Sequence, residues 1–203
     1  MKVVIIDYKA GNIRSVTFAM ERIGINPILS FDADEIKSAD KIIFPGVGEA
    51  SSAMKFLKER KLDEVIKSLK QPVLGICLGM QLLCQYSEEG NTDCLGIFET
   101  KIKHFHSLLQ LGEVQGEELK VPQIGWNNIY NLKSPLFKGL KENEYMYFVH
   151  GYYAEKNKNS IATTNYITEY SSALQKDNFF AVQFHPEKSA EAGQRILKNF
   201  IDL

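Results

Sequence analysis

A cysteine, a histidine and a glutamate in this 203-residue chain stand where acyl-transfer chemistry can be built. Cys77 lies within residues 72–80, PVLGICLGM. The apolar run over 72–76 reads as a buried strand, Gly75 and Gly79 break it on either side of the cysteine, and a helix-periodic stretch follows. Gly-x-Cys-x-Gly at a strand-to-helix turn is the geometry of a nucleophile elbow. The glycines remove Cβ atoms that such a tight turn would bring into collision. The turn is expected to push the thiol into the open, at the positive end of a helix, where a thiolate is favoured. Cys84 and Cys94 complete an odd set with no C-x-x-C pair. That excludes a disulfide framework and a cysteine zinc site, and it fits a reducing compartment. Cys84 reads as a small core residue two helical turns beyond Cys77.

A cysteine nucleophile needs a base and a group to orient that base. Of the four histidines, His104, His106, His150 and His185, the last follows an apolar strand in residues 181–188, AVQFHPEK. Period-2 spacing puts His185 and Glu187 on one side of an extended segment, stiffened by Pro186. The carboxylate can then hold the imidazole and leave its other nitrogen for the thiol. By itself the pair also fits a surface strand end. Beside the elbow, catalysis explains both motifs. An oxyanion hole is then required. The backbone N–H of Leu78 is one natural donor. Val47 can supply another from the turn Pro45-Gly46-Val47-Gly48, which otherwise reads as an ordinary strand-to-helix connection. A phosphate-binding P-loop is excluded because its Lys-Ser/Thr ending is absent.

These groups need a frame. Residues 2–6, 27–31, 40–44 and 72–76 read as strands, alternating with helices over 12–23 (Asn12 as a candidate cap), 49–69 (broken near Lys61) and 78–86. That alternation implies parallel strands covered by helices. Strands are expected over 96–105, 127–131, 144–154, 160–166, 172–175 and 179–184, several of them antiparallel, then a helix over about 190–200. Residues 106–120 look like a loop insertion. The expectation is one α/β domain over 1–203 with a mixed, mostly parallel sheet flanked by helices. A net charge of −1 gives no basic face for nucleic acid or an anionic membrane. No apolar run is long enough to span a bilayer, and Asp7 interrupts the first one too early for a signal peptide. A cytoplasmic protein is expected.

The elbow, the later His-Pro-Glu and the upstream PGVG together resemble the class I glutamine amidotransferases, flavodoxin-like glutaminases with a Cys-His-Glu triad. Further stretches extend the resemblance along nearly the whole chain: DYKAGNIRSV at 7–16, FPGVGEA at 44–50, SEEG at 87–90, IGWN at 124–127, YFVHGYY at 147–153 and VQFHPEKS at 182–189. They are similar to the branch of the family that feeds ammonia to a (β/α)8-barrel synthase of histidine biosynthesis. The resemblance implies Cys77 as nucleophile, His185 as base and then acid, Glu187 as orienter, and the Val47 and Leu78 amides as the oxyanion hole. It implies that Gly46, Gly48, Gln81, Glu89, His150, Gly151 and Tyr152 hold glutamine, with Gln81 and Glu89 facing its ammonium group. No cofactor and no metal are implied. The implied partner forms a heterodimer and converts PRFAR to imidazole glycerol phosphate and the ribonucleotide AICAR. Trp126, Asn127, Tyr147 and Lys188 would face it, joined by Asn12 and Arg14; a buried core tryptophan is the competing reading of Trp126. The family commonly has Pro-His-Met-Gly-Trp-Asn where this chain has Gln123 and Ile124 in the second and third places. That change bears on the partner, and a related barrel of a surface-sugar pathway is the alternative. The rival functions are a thiol peptidase of similar architecture and a catalytically silent binding subunit.

Overall fold

The computed structural model describes residues 1–8, 12–110 and 120–203. The first half builds the parallel part of a sheet. β1 (Val3–Ile6) is buried along its length, sending Val4 and Ile6 into one core and Val3 and Ile5 into the other. Such two-sided burial belongs to a sheet covered on both faces. α1 (Ile13–Arg22) turns Val16, Ala19 and Met20 inward at helical spacing. β2 (Ile28–Ser30) leads to the short α2 (Ala33–Lys37), which sequence reading left out although Asp32 caps it through the N–H groups of Asp34 and Glu35. β3 (Lys41–Gly46) is followed by α3 (Ala50–Glu59) and α4 (Leu62–Ser68), divided at Lys61, whose φ of 56° interrupts the helical path. β4 (Val73–Cys77) runs straight into α5 (Leu78–Leu83).

The second half is β5 (Cys84–Ser87), β6 (Thr92–Asp93), β7 (Phe98–His104), α6 (Phe105–Gln110), β8 (Gln123–Ile129), β9 (Glu144–His150), β10 (Tyr152–Ala154), β11 (Ser160–Tyr166), β12 (Thr168–Lys176), β13 (Phe179–Val182) and α7 (Ala190–Asp202). Among the described residues the main sheet runs β2-β1-β3-β4-β13-β12-β10-β7-β5-β6, with β11 beside β12 and β8–β9 as a separate ribbon. β13 is parallel to β4 and antiparallel to β12, so the sheet changes character there. β4 therefore lies between two parallel neighbours, β3 and β13, and the carboxyl ends of all three open on one edge. In open α/β sheets that edge is where ligands bind.

Several expectations change. The helix after the elbow ends at Leu83 rather than at residue 86, because Cys84–Ser87 pairs with β7 as a strand. The strand expected over 144–154 divides at Gly151: β9 joins the ribbon and β10 the main sheet. The insertion expected over 106–120 lies largely outside the described residues. Asn12, at φ 72°, does not cap α1 through its side chain; its amide is engaged elsewhere.

Candidate active site

The elbow forms for steric reasons. A Cβ on Gly79 would lie 1.8 Å from the Phe44 carbonyl oxygen, and one on Gly75 would lie 2.7 Å from Leu83 Cδ1. Only glycine lets α5 pass this close to β3 and β4. Cys77 itself takes φ 52° and ψ −109°, a strained conformation that costs on the order of 1–3 kcal/mol and persists only when its surroundings hold it. The thiol is not out in the open as the motif suggested: Cys77 is 7% exposed. It forms part of the lining of a cavity of about 450 Å³ whose wall includes Val149 and His150 from the β8–β9 ribbon. Sγ lies 3.8 Å from the Val149 carbonyl oxygen.

His185 arrives from the neighbouring strand. β13 pairs Val182 with Ile76, which brings the chain just beyond it alongside Cys77. His185 Nδ1 meets Glu187 Oε1 at 2.8 Å, both side chains buried. The contact is not made along an extended segment as expected. Pro186–Lys188 is a 3-10 turn that folds the carboxylate back onto the ring. Asn12 Nδ2 donates to the same Glu187 Oε1, so the amide that does not cap α1 holds the Glu187 carboxylate instead. Burial alone would lower the His185 pKa, but hydrogen bonding and charge from Cys77 and Glu187 push it up to about 10. A raised histidine stabilises the fold fully below its unfolded pKa and loses that contribution as pH climbs through its folded one. For His185 the window runs from the ordinary 6.5 to about 10. The urea midpoints of the wild-type protein and of His185→Gln should converge across it; a gap that stays constant would show that the imidazolium adds no stability.

PGVG follows β3, where Gly46 is in register with Cys77. A Cβ on Gly46 would lie 1.8 Å from the buried Tyr8 hydroxyl. Val47 and Gly48 are exposed, with Gly48 at φ 125°. Both line the main cavity and a second one of about 270 Å³ behind the turn. Leu78 opens α5 and also lines the cavity. Gln81, expected to hold substrate, is buried and donates to Gln183 Oε1 at 3.0 Å and to the Tyr152 carbonyl at 3.4 Å. Glu89 is half-buried at the start of α3, where its Oε2 accepts from the Ala50 N–H at 2.8 Å. Burial raises its pKa, partly offset by that N–H. Gly151 and Tyr152 complete this end of the cavity.

His150 is a supporting group. Its Nδ1–H donates to the Tyr152 carbonyl at 2.6 Å, and Nε2 lies 3.0 Å from Gln123 and 3.1 Å from Tyr170. Burial lowers its pKa to about 4, so the ring is neutral and, with Nδ1–H given to Tyr152, Nε2 can accept from the Tyr170 hydroxyl. Gln123, at the unusual position in the family motif, is therefore inside the molecule at 4% exposure, while Ile124 is 65% exposed. Strand alternation explains the split. Only one of the two changes faces outward, and Gln123 is not an interface side chain. Gln123→Leu should cost about 1–3 kcal/mol by stranding buried polar groups, measured by urea denaturation; an unmoved midpoint would show the network adds nothing.

Of the residues expected at a partner surface, Arg14, Trp126 and Lys188 are exposed, Asn127 and Tyr147 are half-buried, and the Asn12 side chain is turned inward to Glu187. Trp126 is 52% exposed and not a core residue. Its ring meets Tyr147 edge-on at 5.9 Å, and Lys188 Nζ lies 5.8 Å from the Tyr147 ring. Lys188 also reaches the cavity mouth. Asn127 is turned sideways to the Asn165 carbonyl, and Arg14 is exposed on α1. Sequence reading missed Gln183, a fully buried amide between Cys77 and Gln81, and missed His104 and His106 on the cavity wall. A polar amide inside the apolar run AVQF was the available sign of the first. Among the described residues no cluster of His, Cys, Asp and Glu could hold a metal ion, and no helix is long and apolar enough to cross a membrane.

A family model for class I glutamine amidotransferases matches residues 4–203. The chain is 56% identical over 203 residues to the imidazole glycerol phosphate synthase subunit HisH of Bacteroides fragilis, covering all of both. It is 45% identical to the protein of that name from Haemophilus influenzae, covering 100% of this chain and 98% of the other. A solved structure of a putative GMP synthase subunit from Thermoplasma acidophilum superposes with a TM-score of 0.74 at 17% identity, covering 100% of this chain and 92% of that one. A second, titled glutamine amidotransferase, gives 0.72 at 16% identity, covering 98% and 97%. These two likenesses concern the fold.

Proposed function

Because the chain belongs to the class I glutamine amidotransferase family, we infer that the cavity around Cys77 takes glutamine and cleaves its side-chain amide. The protein is the glutaminase subunit of imidazole glycerol phosphate synthase, in histidine biosynthesis. The observation that carries the site assignment is the meeting of Cys77 with His185 and Glu187 across adjacent parallel strands, above a pocket with Gln81 and Glu89 at one end.

In the proposed mechanism, the Cys77 thiolate attacks the amide carbon of glutamine. The amide π electrons move to oxygen, which the Val47 and Leu78 N–H groups receive. Imidazolium His185 gives its proton to the nitrogen as the C–N bond breaks, and ammonia leaves. His185, now neutral, takes a proton from water as that water attacks the γ-glutamyl thioester. Collapse releases glutamate and returns Cys77 to the thiolate beside protonated His185. Glu187 keeps the ring aligned throughout. Gln81 Oε1 and Glu89 supply acceptors for the substrate ammonium group, and backbone at Gly151–Tyr152 receives its carboxylate.

The chain works as one domain over 1–203. Its proposed partner is the (β/α)8-barrel synthase, which uses the ammonia to turn PRFAR into imidazole glycerol phosphate and AICAR. Trp126, Tyr147 and Lys188 support this reading: an exposed tryptophan set edge-on to a half-buried tyrosine, with a cation near that ring, suits a binding hot spot. Assaying the chain mixed with that barrel, with glutamine and PRFAR supplied, should yield glutamate and both products. Glutamate release without imidazole glycerol phosphate would redirect the partner assignment and leave the glutaminase intact.

A further inference from the structure

We propose that Gln183 is a further catalytic residue, whose amide N–H holds the Cys77 thiolate while its carbonyl fixes Gln81 for the substrate; this rests on the glutaminase reading above. Gln183 follows β13 directly and is fully buried. Its backbone is pinned by the Ser172 carbonyl at 2.9 Å. Nε2 lies 3.7 Å from Cys77 Sγ, and Oε1 accepts from Gln81 Nε2 at 3.0 Å.

The orientation of both amides follows from one fixed point. Gln81 approaches the Tyr152 carbonyl at 3.4 Å, and a carbonyl only accepts, so the Gln81 atom there is its nitrogen. That nitrogen also meets Gln183, so the Gln183 atom facing it is oxygen. The opposite end of Gln183, facing Cys77, is therefore NH2. Two consequences follow. The amide can donate to sulfur and cannot accept from it, so it favours S⁻ over S–H. Gln81 Oε1 is left free at the cavity wall, the polarity needed against an ammonium group. One buried side chain thus sets both the nucleophile and the substrate clamp. His185 with its Glu187, Tyr8 and His150 are the titratable groups that also surround the sulfur.

The test compares the full-length wild-type chain with Gln183→Met and Gln183→Glu, confirming each fold by circular dichroism. Cys77 alkylation by iodoacetamide is followed across pH by peptide mass spectrometry, which separates it from Cys84 and Cys94. In Gln183→Met the pH midpoint of alkylation should rise and the neutral-pH rate should fall relative to wild type. In complex with the barrel, kcat should fall similarly and KM for glutamine should rise. Gln183→Glu keeps the acceptor for Gln81 but sets a carboxylate against the sulfur, so its alkylation should be slower still with KM near the wild-type value. A filler role would leave the alkylation midpoint unmoved, and that result in either folded variant overturns the proposal. Wild-type complex that releases no ammonia from glutamine would defeat the glutaminase reading, while the alkylation series still decides the role of Gln183.

Discussion

Replacing Cys77 by alanine is expected to abolish glutamine hydrolysis, with kcat falling by at least about a thousandfold, while the fold and the complex survive. In the proposed mechanism the sulfur is the atom that bonds to substrate, and Cys84 cannot replace it because it is buried at the far end of α5. The fold should tolerate the change because Sγ makes only long polar contacts, at 3.8 Å to Val149 and 3.7 Å to Gln183. Alanine meets the same backbone penalty as cysteine at φ 52°, so no new strain enters. Ammonia added directly should still support the synthase reaction. Glutamate release measures the first effect and analytical ultracentrifugation of the mixture the second. A Cys77→Ala complex that makes ammonia at the wild-type rate would falsify the triad.

The chain alone should be a slow glutaminase, and binding of the barrel with its ligand should raise kcat by about a hundredfold or more. Losing one oxyanion donor costs 10²–10³ in rate, roughly, in other acyl-transfer sites. Val47 is the proposed donor in question. Its turn is exposed and separates two cavities, so the Val47–Gly48 peptide can rotate without displacing packed core. A hole completed only in the assembled enzyme would prevent wasted glutamine. Steady-state glutamate release with and without the barrel and PRFAR measures this, and equal rates would refute the gating.

The elbow and the parallel strands around it were legible in the sequence because their determinants are local. Glycines flanking a cysteine between a strand and a helix specify an elbow on their own, and β-branched runs specify the parallel strands around it. What stayed hidden depends on contacts distant in sequence. Asn12 looks like a helix cap until the fold brings it to Glu187, 175 residues away. Gln123 looks like a surface residue until strand alternation turns it toward His150. The end of α5 at Leu83 is set by pairing with β7, which overrides a helical pattern that continues to residue 86. The burial of Cys77 comes from the β8–β9 ribbon, which no feature near the elbow announces. His185 and Glu187 were paired correctly but for the wrong local geometry, since Pro186 starts a 3-10 turn.

The turn Pro186–Lys188 places Glu187 inside, on the His185 ring, and Lys188 outside, near the Tyr147 ring. Tyr147 in turn accepts from the His185 N–H at 2.9 Å, and Ser189 ties both by donating to the His185 carbonyl and accepting from the Tyr147 N–H. Mutational tolerance along this stretch is therefore constrained from two sides at once. A substitution at 147 or 188 that displaces this shared backbone would shift His185, and one at 185–187 that does so would shift Tyr147. The two proteins of the complex should diverge by coupled changes here, so that swapping barrels between distant complexes fails in turnover before it fails in affinity.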